Sequence, residues 1–496
     1  MSRFRILFLL LGSLGVLTLD ASPTYAQSKI DVSAIDQLVQ AEMAAQHIPG
    51  LALAVTRGDQ VLYVKGYGKA SDADPVTPQT QFFIASLSKS FTALAVMQLV
   101  ETGGLDLDAP VQRYLPEFML SDPTAARQIT VRHLLNQVSG LADAGFPHMT
   151  LPQPATPAER VASLRTARLV APPGTEYHYF DVNYQVLARI VEVASGEPFS
   201  NYLQTHVFSP LEMANTFSAL TSEEAYSRAA RLAQGHLLSF GLPVEADEES
   251  GYFGGSGGVI STAEDMAHFL AMQNNQGSFR GRQIVSPSSI ALMHTPPQGI
   301  EGGYAMGWMA ITENGTRTIG HSGILSTQYS EMGLLPDTGY GIALLYNVQS
   351  VTQELVGFPK LRQGLIALLM GSQPQSGGWT SGTVGAILAL LAIVSIALTG
   401  HSLLRLRFWA AKVHSMPRWR LLPGIIWAFV PAALVLAMPG LVLATGERAF
   451  SLFTLSSSML GVMTWLGAWA VLSAADGIGR IAVLTRVATS RRTGPP

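Results

Sequence analysis

The stretch FIASLSKSF, residues 83–91, places Ser86 three positions before Lys89 inside an apolar segment of small residues. Apolar residues recur at helical spacing over residues 86–101 and stop at two glycines, which predicts a helix that begins at the serine. Residues three apart on a helix share one face, so we expect the hydroxyl and the amine within hydrogen-bond reach. Backbone N–H groups at a helix start also favour negative charge that develops there.

A serine hydroxyl is a poor nucleophile until a neighbouring base takes its proton. A lysine acts as that base only when burial or nearby cations lower its pKa, and the apolar flanks at residues 82–84 and at Phe91 favour burial. Ser-x-x-Lys also arises by chance, with the lysine on the surface. Against that alternative, the chain has six lysines, and Lys89 is the one with a serine three positions before it. Ser86 and Lys89 are therefore a candidate nucleophile and base.

Two later polar clusters fit the same chemistry. Tyr179 stands just before a helical run in YHYFDVNYQVLARIVEVASG, residues 177–196, and His321-Ser322-Gly323 lies in an apparent strand within TIGHSGILS, residues 318–326. A tyrosine can pass a proton to a leaving group, and a strand that contains glycine can offer backbone N–H groups to an oxyanion. Together with the serine and lysine, these clusters predict an acyl-transfer site.

The pattern of residues 27–370 is mixed α/β. Apolar runs at residues 51–55 and 61–67 flank a turn signal, and a second such pair occurs at residues 331–335 and 341–346. Strand pairs near both ends, with helices between them, predict one antiparallel-edged sheet that brings these ends together. No repeat period is present, which argues against solenoids and propellers.

Residues 1–26 carry two arginines, a short apolar run and a small-residue ending at Ala26, typical of a secretory signal peptide. A retained N-terminal anchor is the alternative. The net charge of −3 gives no indication of a nucleic-acid partner. The chain has no cysteine, which excludes disulfides, thiol catalysis and zinc–thiolate sites. We therefore expect an exported domain that is stable through its core alone.

The composition changes after residue 370. Residues 371–383 carry no charge and are predicted to form a flexible linker. Segments 384–404, 421–445 and 450–475 are each long enough to cross a hydrocarbon core of about 30 Å at about 1.5 Å per residue. None shows a polar face at helical spacing, which favours three transmembrane helices over buried helices of a soluble domain.

Basic residues predict the orientation of these helices. The second connection, around Gly446-Glu447-Arg448, is nearly empty of them, whereas the first connection and the tail, residues 476–496, are rich in them. By the positive-inside rule the first connection and the tail are cytoplasmic, and residues 27–370 lie outside the cytoplasm. The residues counted are Arg405, Arg407, Lys412, Arg418 and Arg420 in the first connection, and Arg480, Arg486, Arg491 and Arg492 in the tail.

The order of the three motifs resembles that of the serine beta-lactamase and penicillin-binding protein superfamily, in particular its class C-like branch, peptidase family S12. The resemblance covers nearly all of residues 30–350. It includes the stretches HIPGLALAV (47–55), LLNQVSGL (134–141), GGVISTAEDMAHFL (257–270) and MGLLPDTGYGIALLYN (332–347). It implies a beta-lactamase/transpeptidase-like domain, with an antiparallel sheet flanked by helices and a helical subdomain.

The resemblance also implies a role for each motif residue. Ser86 would be the acylated nucleophile, Lys89 its base partner and Tyr179 the second proton carrier. The backbone N–H groups of Ser86 and Ile324 would form the oxyanion hole. Residue order does not decide whether Lys89 or Tyr179 serves as the deacylation base. The implied substrate-binding positions are Asp181, His321, Ser322 and Gly323.

Three positions depart from the family pattern. Asp181 stands where the family usually has asparagine, and its carboxylate would repel an acidic substrate group or recognise a basic or amide group. His321 replaces the lysine of true class C beta-lactamases, which weakens a carboxylate-binding role at neutral pH. Gln137 lies where many relatives have histidine. These departures argue against antibiotic hydrolysis and leave the serine chemistry intact.

The architecture resembles the membrane-bound peptidases that remove an N-acyl-D-asparagine prodrug motif, of the colibactin-maturing type, although that specificity is not carried over to this chain. The leading hypothesis is a membrane-anchored serine hydrolase that cleaves an amide or ester, with a D-residue peptide as the expected substrate; an esterase or beta-lactamase of the same family is a variant of it. The alternative class is a penicillin-binding-like sensor or cell-wall scaffold with little turnover. The expected partners are this small-molecule or peptide substrate and the membrane.

Gly254-Gly255-Ser256-Gly257-Gly258 matches the Gly-x-Ser-x-Gly elbow of α/β-hydrolases. That elbow needs a helix immediately after the serine, whereas a helix signal begins here only at residues 261–264. We predict that these glycines allow close backbone packing near the site. The histidines show no metal-ligand spacing, so neither a metal nor a cofactor is expected.

Overall fold

The computed structural model describes residues 30–492 apart from 314, 376, 414, 415 and 447, so the predicted signal peptide lies outside the described residues. The described strands are β1 (Gly50–Arg57), β2 (Gln60–Gly68), β3 (Phe82–Phe83), β4 (Phe217–Ser218), β5 (His236–Ser239), β6 (Leu242–Glu245), β7 (Val259–Ser261), β8 (Ser278–Phe279), β9 (Arg282–Gln283), β10 (Met309–Glu313), β11 (Thr316–Ile324), β12 (Tyr329–Leu335) and β13 (Tyr340–Tyr346). The described helices before residue 371 are α1 (Val32–Gln46), α2 (Ser88–Glu101), α3 (Pro123–Ala126), α4 (Val131–Leu135), α5 (Pro157–Ser163), α6 (Asp181–Ser195), α7 (Phe199–Leu203), α8 (Ser222–Arg228), α9 (Ala263–Asn274), α10 (Pro287–Met293) and α11 (Phe358–Leu369).

A six-stranded antiparallel sheet in the order β10-β11-β12-β13-β1-β2 organises this part of the chain. Strand β1 pairs with β13 along its length, from Leu51 opposite Tyr346 to Arg57 opposite Tyr340. Both predicted strand pairs are present as β1–β2 and β12–β13. The mixed α/β prediction, with a sheet that joins the two ends of the domain, is therefore confirmed.

Strand β1 is buried on both faces of the sheet. Successive side chains of a strand point to opposite faces. Ala52 and Ala54 belong to the core cluster that includes α2, α6 and α9, whereas Leu51, Leu53 and Val55 belong to the cluster that includes α1 and α11. This two-sided burial explains why β1 is apolar throughout instead of alternating.

The C-terminal part contains α12 (Ser381–Leu404), α13 (Leu406–Val413), α14 (Leu422–Ala428), α15 (Val430–Gly446), α16 (Leu452–Ser458) and α17 (Leu460–Arg492). Two stretches, Ser381–Leu404 and Leu460–Val487, are each long and apolar enough to cross a membrane. Helices α14 and α15 meet at a 45° bend and provide a third crossing if they act as one broken span. The predicted segments 384–404 and 421–445 fall on α12 and on this bent pair.

The predicted segment 450–475 is divided between two helices. Met459, at φ −129°, ends α16, and α17 then begins at Leu460. Ser457 donates to the Glu249 carboxylate, which ties α16 to the preceding domain. Helix α17 continues beyond residue 475 to Arg492, and within it Asp476 Oδ2 lies 2.9 Å from Arg480 Nε, one helical turn further on.

The domain docks directly on the C-terminal helices despite the predicted linker. The β5–β6 turn, with Phe240, lies between α12 and α17. A Cβ atom added at Gly385 of α12 would lie 2.4 Å from Phe240 O, and one added at Gly461 of α17 would lie 2.6 Å from Phe240 N. At the start of α12, the Ser381 N–H donates to Gln46 Oε1 over 2.8 Å. The glycines therefore permit close contact between the domain and both helices.

We expect Leu53→Ala to lower the free energy of unfolding by about 2–5 kcal/mol, because it removes a fully buried side chain and leaves a cavity. Thermal denaturation of the full chain in detergent measures the effect. Val61→Ala, at a position 44% exposed on β2, is the matched control and should change the midpoint little. Equal midpoints for the two variants would contradict the two-sided core.

Candidate active site

Ser86 lies in a single 3-10 turn, Ala85–Leu87, that leads into α2. The turn is held from two sides, because the Ile84 N–H donates to Val259 O over 3.1 Å and the Ser330 hydroxyl donates to Ile84 O over 2.7 Å. Ala85 has φ 47°, an uncommon backbone conformation for a residue with a side chain. These contacts hold the strained residue, Ala85, immediately before the serine.

Lys89 is fully buried, and its side-chain nitrogen has three polar neighbours. Nζ lies 2.9 Å from Ser86 Oγ, 2.8 Å from Ser256 O and 2.7 Å from Asp181 Oδ1. The Tyr179 ring centroid is 4.9 Å from the same atom. The structure thus brings together the predicted serine, lysine and tyrosine, and it provides the burial that the apolar flanks indicate.

The Ser256 carbonyl is a contact that sequence reasoning missed. Gly255 has φ 78°, and a Cβ atom there would lie 2.5 Å from Tyr184 O; one at Gly258 would lie 2.0 Å from Ala219 O. Strand β7, and not a helix, follows Gly258, so this segment lacks the geometry of a nucleophile elbow. The run of glycines allows the loop to present its carbonyl to Lys89.

Gln137 holds the turn before α6 in place. At φ 59°, it accepts with Oε1 from the Phe180 N–H over 3.1 Å and from Asn183 Nδ2 over 2.6 Å. These bonds fix the segment that carries Tyr179 and Asp181 on either side of Phe180. The residue that departs from the family histidine therefore has a positioning role in the second motif.

Asp181 links two cations. Its Oδ1 contacts Lys89, and its Oδ2 lies 2.7 Å from Nη2 of Arg448, a residue in the turn between α15 and α16. Burial raises the pKa of the Asp181 carboxyl, but the Arg448 guanidinium and the Lys89 ammonium outweigh burial and hold it below its usual range. The predicted substrate-binding carboxylate is therefore engaged within the protein.

The pairing of Arg448 with the acidic residues of the domain is the second contact that sequence reasoning missed. Arg448 Nε lies 3.5 Å from Asp143 Oδ2, which also accepts from the Ala449 N–H over 2.9 Å. Burial raises the pKa of Asp143 to about 6, although Arg448 opposes the rise. The sequence does carry a signal for this contact. Arg448 is a single arginine, beside Glu447, in the short connection between two apolar segments.

The third motif lies on β11, beside Ser86. A Cβ atom at Gly323 would lie 2.3 Å from Ile84 O, so the strand packs directly on the Ser86 turn. The buried His321 ring contacts Ser322 O at 2.6 Å through Nδ1. Burial, aided by the charge of Lys89, lowers the pKa of His321 to about 4. The ring is therefore neutral near pH 7 and supplies no positive charge for a substrate carboxylate.

Ser86 and Ile324, the two predicted oxyanion-hole residues, line one cleft of about 1000 Å³ together with Asp181. Ile324 is 47% exposed at the end of β11. The lining also includes three residues of the C-terminal segment, namely Phe450, Thr454 and Ser458. The cleft is thus built jointly by the domain and the segment that follows α15.

Comparison with known proteins gives one consistent result. The Beta-lactamase family profile matches residues 35–360. Protein flp of Staphylococcus aureus strain MW2 is 27% identical, with 87% of this chain and 85% of flp covered. Penicillin-binding protein 4 of Amycolatopsis lactamdurans is 32% identical, covering 61% of this chain and 81% of that protein. The solved octameric penicillin-binding protein homologue from Pyrococcus abyssi has a TM-score of 0.58 and 29% identity, over 70% of this chain and 78% of that one.

The low pKa of His321 gives a pH-dependent contribution to stability. The unfolded ring binds its proton near pH 6.5 and the folded ring near 4, so between these values the unfolded chain holds more protons. The contribution is complete above pH 6.5 and is lost as the pH falls through about 4. We expect the wild type to lose up to about 3 kcal/mol relative to His321→Gln over this range.

Thermal midpoints of the two proteins, measured from pH 7 to pH 4, test this expectation. Asp143, whose raised pKa acts in the opposite direction, is present in both proteins and cancels in the difference. A difference between the midpoints that stays constant across the range would show that the folded ring titrates like the unfolded one.

Proposed function

The chain belongs to the beta-lactamase family, and on that premise we propose that it is a membrane-anchored, extracytoplasmic serine hydrolase that cleaves an amide or ester through an acyl-Ser86 intermediate. The observation that carries the proposal is the 2.9 Å contact between Ser86 Oγ and the buried Lys89 amine. A base within hydrogen-bond reach is the requirement for an activated serine.

The proposed reaction has two steps. Ser86 Oγ bonds to the carbonyl carbon as its proton passes to neutral Lys89, and the leaving amine or alcohol departs with a proton delivered through Tyr179. Water then cleaves the acyl-serine ester, and the hydroxyl regains its proton. Backbone N–H groups of Ser86 and Ile324 would stabilise the oxyanion in both steps.

The proposed substrate is a peptide that carries a D-residue. Similarity to penicillin-binding proteins supports this class, and the neutral His321 gives a substrate carboxylate no positive partner at the third motif. A neutral side chain or end group fits this motif better.

The proposed location is a membrane with the hydrolase domain outside the cytoplasm. Helices α12 and α17 are long and apolar enough to cross a membrane. The basic residues of the first connection and of the tail support a cytoplasmic placement of those two segments. The cleft wall formed by Phe450, Thr454 and Ser458 supports a substrate that is met close to the membrane.

A binding or sensor role is the second candidate. The Asp181 carboxylate, 2.7 Å from Lys89, favours the ammonium form, which cannot accept a proton from Ser86. A chain kept in that form would bind a ligand and turn it over little. The two candidates differ in whether product accumulates beyond one equivalent of protein.

We expect Ser86→Ala and Lys89→Ala each to reduce turnover at least about 10³-fold while the fold is retained, because each removes one member of the nucleophile and base pair. Ser227→Ala, at an exposed position of α8, and Lys69→Ala, an exposed lysine, are matched controls that should leave turnover unchanged. Full activity in either site variant would refute the proposal.

The substrate class is tested with the full chain in detergent and a mixed library of acylated L- and D-peptides, amides and esters. Product masses identify the bond cut, and we expect D-residue peptides to give products that Ser86→Ala does not make. Binding without product from the folded wild type would favour the sensor role, and preferential cleavage of L-peptides would contradict the proposed substrate class.

A further inference from the structure

Arg448 reaches the hydrolase site from the segment between two apolar helices. It follows α15 by two residues, and its guanidinium contacts Asp181 and Asp143, both from the preceding domain. Its Cζ lies 5.6 Å from the centroid of the Tyr179 ring. The Nζ atom of Lys89 lies 4.9 Å from the same centroid. One side chain of the C-terminal segment is thus in contact with the carboxylate that touches the base.

The Asp181 carboxylate creates a chemical conflict at this site. Lys89 must be neutral to take the Ser86 proton, whereas a carboxylate 2.7 Å away favours the charged ammonium. A second cation on the same carboxylate reduces this preference, because the negative charge is then shared between two partners. Arg448 Nη2 is such a cation, at 2.7 Å from the other oxygen of Asp181.

The other ionisable groups nearby do not provide this cation by direct contact. Burial keeps the rings of His148 and His321 neutral near pH 7, with pKa values lowered to about 3 and about 4. Asp143 is itself paired with Arg448. In the described part of the chain, the ionisable groups that face Lys89 and Asp181 are Asp143, His148, Arg160, Tyr179, Tyr184, His321 and Arg448.

We propose that Arg448 is a positioning residue of the hydrolase site, which engages the Asp181 carboxylate and thereby allows Lys89 to lose its proton and act as the base for Ser86. Lys89 gives this proton to solvent before the reaction and regains one from Ser86 Oγ as the new bond forms. The inference rests on the proposed function and adds that the catalytic centre is complete only when the turn between α15 and α16 is in place.

The test measures how fast a fluorescent fluorophosphonate labels the full chain in detergent between pH 6 and pH 10. In this reaction Ser86 Oγ bonds to phosphorus, the phosphorus–fluorine bond breaks, and fluoride leaves without a proton donor. Labelling therefore reports the Ser86 and Lys89 step without a requirement for Tyr179. The variants are Arg448→Gln, Arg448→Lys, Asp181→Asn and the double variant Asp181→Asn/Arg448→Gln.

We expect Arg448→Gln to label about tenfold more slowly at pH 7.5 and to regain speed about one pH unit higher, since a factor of ten corresponds to one unit. Arg448→Lys should fall between this variant and the wild type. In the Asp181→Asn background, Arg448→Gln should change the labelling rate by less than about threefold, because Arg448 is dispensable once the carboxylate is gone. Arg132→Gln, which breaks the surface pair with Asp108, is the control for loss of an arginine.

A merely structural role for Arg448 predicts a different pattern. Arg448→Gln would then slow labelling as much in the Asp181→Asn background as in the wild type, with an unchanged pH profile, and this result would overturn the inference. Wild-type rates in Arg448→Gln would overturn it as well and leave the proposed function intact. Labelling of the wild type that does not depend on Ser86 would overturn the proposed function and this inference together.

Discussion

The buried Lys89 Nζ is the constraint on which the rest of the site depends. A polar group that is shielded from water must find partners inside the protein, and this one has the Ser86 hydroxyl, the Ser256 carbonyl and the Asp181 carboxylate. Each partner comes from a different part of the chain. The Ser86 turn, the glycine-rich loop and the start of α6 must therefore all be in register before the lysine is accommodated.

The six-stranded sheet supplies that register. Strand β11 packs on the Ser86 turn at Gly323, where there is no room for a side chain, and the Ser330 hydroxyl of β12 donates to the Ile84 carbonyl. Strain at Ala85 is maintained by these contacts on both sides. Because β13 pairs with β1, the segments that form the site are locked together by pairing between the two ends of the domain.

Local patterns predicted much of this arrangement. The Ser-x-x-Lys spacing, the two strand pairs and the position of Tyr179 before a helix all depend on neighbours within a few residues, and the structure has each of them. The Ser256 carbonyl was not predicted because a backbone acceptor leaves no residue-type signal. The contact between Arg448 and Asp181 joins positions 267 residues apart, and no local period or spacing relates them. The break at Met459 likewise depends on contacts between α16 and the domain, which hydropathy does not describe.

The short connection between α15 and Arg448 has a consequence for how substrate is encountered. Two residues of chain span at most about 7 Å, and the headgroup layer of each leaflet is about 5–8 Å thick. If α14 and α15 cross the bilayer as one broken span beside α17, the cleft opens at the level of the headgroups. A substrate with a lipid-soluble portion would then reach Ser86 by lateral diffusion within a leaflet. The rate at which the protein meets its substrate would scale with the number of substrate molecules per unit membrane area. Dilution of the surrounding fluid would not change that rate.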